Sequence, residues 1–478
     1  MQRIPTITAL MACFVVSAIA EKSANGSELS LAIRNDQIAK VEEIINADPN
    51  LLAASVDRHG TPLHFAVQLK KLEMTKLLLK KGSQVNAVSE RGVTPLYYAV
   101  QNLDIEVAKI LLAAGANADH RNAKKYTDNP TPIDVAVKSR SLELVKLLHK
   151  HGADINGLRA VHSAVTAAKT KPEILTFMLA NKADPTRSYA LTHAAVYADA
   201  KVLEQMLNAR DDLHKTAHYD EYLLKLAAGD LAKVKLLVER GISPNREGFR
   251  ARKLPLLAAV AQQGNVKVLA FLLSKGFTID SPHADLSSTD VQLRALNEAI
   301  NCRHLDMVKA LLKEGVKPTF CALIAVGDKQ AVAAELKRNP DALDTHTKHN
   351  QSANLLPLHV AVQFRQHEIL AMLVEKATPE QLNASSWSVK AKPLHCAVEI
   401  RDAKAAKVLL EAGANPNSQL NISFFGVSVT PLDLLEENDY ELTLRFKPVA
   451  ASNEQLKELS AVLKKHGAKL SGLRFRRE

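Results

Sequence analysis

One short phrase recurs along the chain and constrains its fold more than any other feature. In its strongest copies a proline and an apolar residue follow a residue that is most often threonine: TPLH at Thr61–His64, TPLY at Thr94–Tyr97, TPID at Thr131–Asp134, LPLH at Leu356–His359, KPLH at Lys392–His395 and TPLD at Thr430–Asp433. With weaker copies between them, thirteen occurrences follow one another at a mean spacing of about 33.6 residues. A fixed period of roughly 20 to 50 residues is typical of a stacked repeat array.

The residues of the phrase explain why it begins a helix. Threonine is a favoured N-cap, proline is tolerated at the first helical position, and leucine begins an apolar face. A second apolar pattern at i, i+3 and i+4 follows, as in Met74, Leu77 and Leu78. It ends in basic residues and a glycine such as Gly82, which suit a helix C-terminus. Each repeat is therefore predicted to be a pair of short helices, the first of them over Pro62–Leu69 in the TPLH copy.

A repeat array also fits the length, composition and charge of the chain. Its 478 residues are too many for one compact core, whereas a repeat buries surface only against its neighbours. Apolar residues make up 47% and charged residues 24%, which is not the composition of a disordered chain. The net charge is +11, and about half of that excess lies in the last 15 residues. Because no basic stripe is interleaved with aromatic residues, we expect no nucleic-acid partner.

The first 20 residues predict an export signal. A short basic start at Arg3 precedes an apolar stretch that ends in Ala18-Ile19-Ala20, an A-x-A pattern that places cleavage before Glu21. Two alternatives stay open, an uncleaved anchor and lipidation at Cys13. No other segment is long and apolar enough to span a bilayer, so we expect a periplasmic or secreted protein without stable membrane insertion after cleavage.

The chemistry-bearing residues do not assemble into a recognisable catalytic or metal motif. Beyond Cys13 there are three cysteines, too few and odd in number for a disulfide framework: Cys302, Cys321 and Cys396. No phosphate-binding glycine loop, zinc-protease helix or nucleophile elbow occurs. We therefore expect no enzyme, no cofactor and no metal.

These features resemble the ankyrin repeat family. The tetrad Thr61–His64 and the stretches Leu111–Asp119, Leu147–Asn156 and Leu409–Asn417 match its pattern. The resemblance covers roughly residues 28–470 and implies an all-α solenoid of about 12–13 helix-turn-helix repeats with hairpin fingers. It also implies that the tetrad histidines hydrogen-bond the turn of the motif and pack between repeats: His64, His359 and His395.

The chain divides into five segments on this interpretation. They are a signal peptide over 1–20, regular repeats over 21–156, degenerate repeats over 157–345, repeats with loop insertions over 346–470 and a basic tail over 471–478. The degenerate segment lacks the Thr-Pro pair and has irregular spacings, which leaves its repeat boundaries and its regularity open.

The resemblance further implies that a protein partner binds a concave side formed by the finger tips and the first helices. The finger positions in this chain are Arg58, His59, Glu90 and Arg91, and the exposed ends of first helices are Gln68, Leu69, Gln101, Asn102, Gln363, Phe364, Glu399 and Ile400. Three connections are longer than the pattern needs, 118–130 with Tyr126, 280–290, and 418–429 with Phe424 and Phe425, and Trp387 lies on a finger between Glu380 and Lys392. These aromatic residues either anchor a partner or pin their loops to neighbouring fingers.

From these patterns we hypothesise an exported, monomeric scaffold that binds a protein partner. One specific version is an inhibitor or immunity-type protein that neutralises an enzyme or toxin in the same compartment. Another is a secreted effector that acts on a host protein. More distant alternatives are an enzyme with an unrecognised site in residues 157–345, and a purely structural role.

Overall fold

A computed structural model describes residues 27–56, 60–121, 130–157, 159–209, 220–243, 255–279, 288–345, 347, 355–386, 391–422, 427–436 and 452–471. The predicted signal peptide and all but the first residue of the predicted basic tail lie outside these ranges. Contacts within the chain divide it into two compact units, Met1–Leu213 and His214–Glu478.

The described residues of the first compact unit form six helix pairs. Its helices are α1 (27–34), α2 (Ile38–Ala47), α3 (Pro62–Gln68), α4 (Leu72–Lys80), α5 (Pro95–Gln101), α6 (Ile105–Ala113), α7 (Pro132–Lys138), α8 (Leu142–Lys150), α9 (Ala160–Ala167), α10 (Pro172–Ala180), α11 (Ala190–Tyr197) and α12 (Ala200–Asn208). The first helix of each pair is called inner and the second outer. From α3 onward each inner helix packs against the next inner helix, and the outer helices form a parallel row from α2 to α12.

In the part of the second compact unit that the structure describes there are seven helix pairs and one additional short helix, α23. Its helices are α13 (Asp220–Ala227), α14 (Leu231–Glu239), α15 (Leu256–Gln263), α16 (Val266–Ser274), α17 (Ser288–Asn301), α18 (Leu305–Lys313), α19 (Phe320–Val326), α20 (Lys329–Arg338), α21 (Pro357–Gln363), α22 (His367–Val374), α23 (Pro379–Leu382), α24 (Pro393–Glu399), α25 (Ala403–Glu411), α26 (Pro431–Glu436) and α27 (Asn453–Lys465). The thirteen pairs of the two units correspond to the thirteen copies of the phrase. The segment predicted as degenerate forms helix pairs like the rest.

The phrase begins the inner helices as its chemistry predicts. The apolar residue after proline is fully buried in the early repeats, as at Leu63, Leu96 and Ile133. In the outer helix of the TPLH repeat, Met74 and Leu78 are fully buried too. Because both helices of a pair bury one face against neighbouring repeats, the apolar core runs along the stack of each compact unit.

One hairpin adds a small amount of sheet to this all-α fold. Strands β1 (Leu420–Ile422) and β2 (Val427–Val429) are antiparallel, with Leu420 opposite Val429. They lie in the long connection predicted before α26, and form a finger of the second compact unit. In the described part of the chain, no helix is both long enough and apolar enough to cross a membrane.

Candidate functional site

An exposed aromatic stripe lies on α11 of the first compact unit. His193, Val196 and Tyr197 share one face of the helix, with His193 half-buried and the other two exposed, and Tyr189 immediately precedes the helix. Tyr189 is 79% exposed and Tyr197 is 75% exposed. Leu191 and Ala194 are fully buried. Helix α11 therefore has one face in the core and a second, aromatic face at the surface, which we call the α11 stripe.

The backbone that leads into this stripe is strained. Ser188 and Tyr189 have φ angles of 52° and 60°, in the left-handed region that residues other than glycine seldom adopt. Each such residue costs about 1 kcal/mol or more, and strain of this kind is concentrated at functional sites. Tyr189 lies immediately before the first turn of α11.

A histidine of the neighbouring inner helix completes the stripe. The ring of His162, on α9, lies 4.4 Å from the ring of His193, which in turn lies 4.8 Å from the ring of Tyr197. Burial lowers the pKa of His193, and the charge of His162 lowers that pKa further. The Nδ1 atoms of both histidines are buried without a hydrogen-bond partner in the described ranges. His193 is therefore uncharged at neutral pH, beside the exposed ring of Tyr197.

An open cavity of about 350 Å³ adjoins the stripe. Its lining combines apolar and charged groups from α9, α11, α12 and the connections after the two inner helices: Val165, Thr166, Lys169, His193, Tyr197, Ala198, Asp199 and Val202. Cavities of this size are at the lower end of those that hold small ligands. It has room for one large side chain of a partner.

Several predicted contact residues are at the surface as expected. Gln101 is exposed, as are the finger residues Glu90 and Arg91. Others are half-buried because they pack at the ends of inner helices: Gln68, Leu69, Asn102, Gln363 and Phe364. Asn102 donates from Nδ2 to the carbonyls of Val67 and Gln68, at 3.2 and 3.1 Å. Its amide therefore ties two repeats together.

The expectation that Glu399 and Ile400 are exposed is wrong. The Glu399 side chain is 10% exposed and pairs with Arg303, whose Nη2 lies 3.3 Å from Oε1. Burial raises the pKa of Glu399, and the adjacent Arg303 opposes that rise. Ile400 is 3% exposed, and its carbonyl accepts a hydrogen bond from Arg365 at 2.6 Å. Arginines from earlier repeats reach this helix end and engage its polar groups.

Six of the predicted partner-binding residues lie outside the described residues: Arg58, His59, Tyr126, Trp387, Phe424 and Phe425. Their proposed roles stay predictions. Sequence reasoning missed the α11 stripe, because the segment LTHAAV, which begins at Leu191, is a weak copy of the phrase and predicts only a buried face. The spacing of Tyr189, His193 and Tyr197 carried a signal for a second face.

The nucleophile and metal chemistry of the described residues is limited. Cys321 and Cys396 are buried, and burial raises the pKa of each thiol to about 12, which keeps both protonated. Across the described ranges, no three histidine, cysteine or acidic side chains gather as metal ligands would.

A second cavity, of about 560 Å³, lies in the second compact unit beside α17 and α19. It includes three carboxylates, those of Glu335, Asp341 and Asp344. Arg338 bonds Glu335 at 2.6 Å, and Gln381 donates to Asp344 at 3.0 Å. Since two of its acidic groups already have partners within the chain, this cavity is a weaker candidate than the α11 stripe.

Family models match three parts of the chain. The model for "Ankyrin repeats (3 copies)" matches residues 29–122 and 323–419. The model for "Ankyrin repeat" matches residues 128–161. The matched stretches fall in both compact units and coincide with strong copies of the phrase.

Two curated proteins are similar over part of their length. "Putative palmitoyltransferase ZDHHC13" of Danio rerio is 28% identical over 248 residues, which is 49% of this chain and 35% of that protein. "Ankyrin repeat and KH domain-containing protein mask-1" of Caenorhabditis elegans is 27% identical over 166 residues, which is 33% of this chain and 6% of that protein. The chain thus spans about a third or less of each relative.

Proposed function

Because the chain is an ankyrin-repeat protein, we propose that it is an exported scaffold that binds a protein partner mainly through the α11 stripe. Ankyrin repeats indicate a protein-binding scaffold. The finer parts of the proposal are the export, the surface used and the class of partner.

The α11 stripe is the observation that carries the choice of surface. Tyrosines are enriched among the residues that dominate binding energy, especially beside pockets that exclude water. Tyr189 and Tyr197 are each more than 70% exposed, and Tyr197 lines the 350 Å³ cavity. Because Tyr189 and Tyr197 are exposed, they add little to the stability of the fold by burial, whereas a bound partner would bury them.

We propose no catalytic activity for the chain. The similarity to the palmitoyltransferase covers 35% of that protein, so its activity is not transferred to this chain. The buried thiols of Cys321 and Cys396, with pKa values raised to about 12, are poor nucleophiles.

Export is supported by the sequence of residues 1–20. N-terminal sequencing of the protein from its producing cells tests it, with Glu21 as the expected first residue. A chain that keeps Met1, or one acylated at Cys13, would replace cleavage with one of the two alternatives. Recovery from the periplasm favours an inhibitor or immunity-type protein, and recovery outside the cells favours a secreted effector.

Site-specific crosslinking tests the partner and the surface together. A photo-crosslinking phenylalanine derivative replaces Tyr197 in the full chain, and a matched variant carries it at Glu204, an exposed position of α12. We expect one abundant adduct from position 197 and none from position 204. The same partner should be lost from affinity purification of the variant Tyr189→Ser/Tyr197→Ser.

A fourth variant separates the two candidate surfaces. Trp387, Phe424 and Phe425 changed to alanine leave the α11 stripe intact. Loss of the partner in this variant alone would move the site to the C-terminal fingers. No stoichiometric partner for the native chain, with no adduct at position 197, would refute the scaffold.

A further inference from the structure

A row of basic residues lies at the C-terminal ends of the inner helices of the first compact unit. We call it the basic row, and it consists of Lys70 after α3, Lys138 and Arg140 at the end of α7, and Lys169 after α9. Between Lys70 and Arg140, the corresponding position after α5 holds Leu103, which is 48% exposed. The four basic side chains are all exposed.

Three of these positions share an unusual backbone. Lys70, Leu103 and Arg140 each have a φ angle of 57°, in the left-handed region. The second compact unit places Gly264 and Gly327 at the same position of its repeats, with φ angles of 68° and 81°. Glycine adopts this backbone without strain. A lysine or arginine at this position therefore has a conformational cost that glycine would not have.

At two arginines of the second compact unit, that cost is offset by contacts within the chain. Arg303 and Arg365 occupy the same left-handed position, with φ angles of 63° and 53°. Arg303 pairs with Glu399 at 3.3 Å, and Arg365 donates to the carbonyl of Ile400 at 2.6 Å. Both arginines therefore tie repeats together.

The basic row of the first compact unit makes no comparable contacts with the described residues. The side chains of Lys70, Lys138, Arg140 and Lys169 form no ion pair or hydrogen bond with any described residue. Nearby acidic residues are engaged elsewhere, since Glu73 pairs with Lys76 at 2.6 Å and Glu106 pairs with Lys109 at 2.8 Å. No described residue compensates the charge of the basic row, and its exposed side chains are accessible to an acidic partner.

We propose that the basic row binds an acidic, extended segment of the protein partner, with an apolar side chain of that segment on Leu103. The inference rests on the proposed function and adds the chemistry of the partner. The exposed Leu103 between basic positions favours a peptide, because one extended chain can present acidic and apolar side chains in alternation.

The spacing of the repeats sets the spacing of the partner's residues. Neighbouring helices pack about 8–10 Å apart, and an extended chain advances about 3.3 Å per residue. One repeat therefore corresponds to about three residues of an extended segment. Lys70, Leu103, Arg140 and Lys169 then call for the pattern acidic, apolar, acidic, acidic at every third position.

Designed peptides test this pattern on the full chain. The spaced peptide Glu-Gly-Ser-Leu-Gly-Ser-Glu-Gly-Ser-Glu carries a fluorophore and is titrated by anisotropy. One control replaces its glutamates with glutamine, and a second keeps the same charge but groups the three glutamates at one end. We expect the spaced peptide to bind several-fold more tightly than either control, and to weaken as salt is raised from about 50 to 300 mM.

Glycine variants of the basic row should weaken peptide binding without lowering the melting temperature. In Lys70→Gly/Arg140→Gly we expect about tenfold weaker binding of the spaced peptide. The same variant should melt at an unchanged temperature or about 2 °C higher, because the left-handed strain is relieved. The matched control Arg365→Gly, in the second compact unit, should keep peptide binding and melt at a lower temperature.

Three results would overturn the inference. They are undiminished peptide binding by Lys70→Gly/Arg140→Gly, equal affinity for the grouped peptide, and binding only to phosphatidylglycerol vesicles or a single-stranded oligonucleotide. Crosslinking at position 197 together with any of these results leaves the scaffold standing and rejects only the acidic segment. Peptide binding without a crosslinked partner would instead reject the α11 stripe.

Discussion

At the scale of single residues, the tetrad histidines connect one repeat to the next. The His64 Nδ1 accepts a hydrogen bond from the backbone N–H of Thr61 at 3.1 Å, which leaves Nε2 to donate to the carbonyl of Val93 at 3.1 Å. His395 makes the corresponding bonds to Lys392 and Ser418. A ring that both accepts and donates must be neutral. The structural role predicted for these histidines therefore depends on pH, because it needs the neutral ring.

We expect the stability of the chain to fall in mild acid. Burial lowers the pKa of His359 and of His395 to about 4, against about 6.5 in an unfolded chain. The unfolded state then binds protons more readily, so this contribution is complete above pH 6.5 and is lost as pH falls toward 4. Each histidine contributes up to about 1.4 kcal/mol per pH unit in that window.

Urea unfolding of the second compact unit at pH 7, 6 and 5 measures this effect. The variant His359→Gln should be less stable at pH 7 but show a shallower pH dependence, because one titrating ring is gone. A midpoint that does not move between pH 7 and 5 in the native chain would contradict the prediction.

The LPLH copy offers a stabilising substitution. Leu356 stands where Thr61 stands in the TPLH copy, and the Nδ1 of His359 is buried without a hydrogen-bond partner in the described ranges. In the TPLH copy, the Thr61 hydroxyl lies 3.0 Å from the His64 Nδ1. We expect Leu356→Thr to raise the free energy of unfolding by about 1 kcal/mol, by adding a helix cap and a partner for that nitrogen.

Thermal unfolding compares this variant with Lys392→Thr. The His395 ring already accepts a hydrogen bond from the Lys392 backbone, so the control should gain less. An equal gain in both variants would mean that the cap alone acts and the orphaned nitrogen does not.

At the scale of elements, asparagines link successive fingers. Asn86 donates from Nδ2 to the carbonyl of Gly115 at 3.0 Å and accepts from the backbone N–H of Asn117 at 2.7 Å. Asn383 accepts from the backbone N–H of Asn415 at 2.8 Å in the same way. These bonds hold each finger in register with the next one, independently of the helices.

Removal of the amide at Asn86 should loosen this register. We expect Asn86→Ala to cost about 1–2 kcal/mol of unfolding free energy, since it deletes two partly exposed hydrogen bonds. Asn86→Asp keeps the acceptor for Asn117 and loses the donor, so about half of that cost should remain. Equal loss in both variants, measured by urea unfolding, would mean that the donor alone matters.

The elements were largely predictable because their signals are local. Pro62–Gln68 forms the inner helix where Pro62–Leu69 was predicted, since cap, proline and apolar face all lie within one turn. The burial of Glu399 was not predictable, because Arg303 stands 96 residues earlier in the chain. The two faces of α11 likewise depend on which of its sides meets α9. Which side chains are exposed or buried depends on packing against other repeats, and the spacing of the phrase does not specify that packing.

At the scale of the whole molecule, the compact units do not follow the predicted segments. Sequence regularity placed boundaries at 156 and 345, whereas the contacts divide the chain between Leu213 and His214. Repeat irregularity reflects missing Thr-Pro pairs, yet the helix pairs form without them, because burial of apolar faces stabilises a repeat more than its cap does. The regions defined by sequence pattern and the units defined by contacts are therefore different properties of this chain.

The two compact units should unfold in separate transitions, because a stack is stabilised by contacts between neighbouring repeats and such contacts are densest within each unit. Trp387 is the single tryptophan and belongs to the second unit by its position in the chain. Its fluorescence should report that unit, whereas circular dichroism at 222 nm reports helices of both, so the two urea curves should not coincide. Leu111→Ala, at a fully buried position of the first unit, should shift only the dichroism curve, at the transition that the fluorescence of Trp387 does not report.

Leu370→Ala, at a fully buried position of the second unit, should shift the fluorescence midpoint, because the free energy of unfolding falls by about 2–5 kcal/mol. Coincident curves that move together in both variants would instead show one cooperative stack through Leu213 and His214.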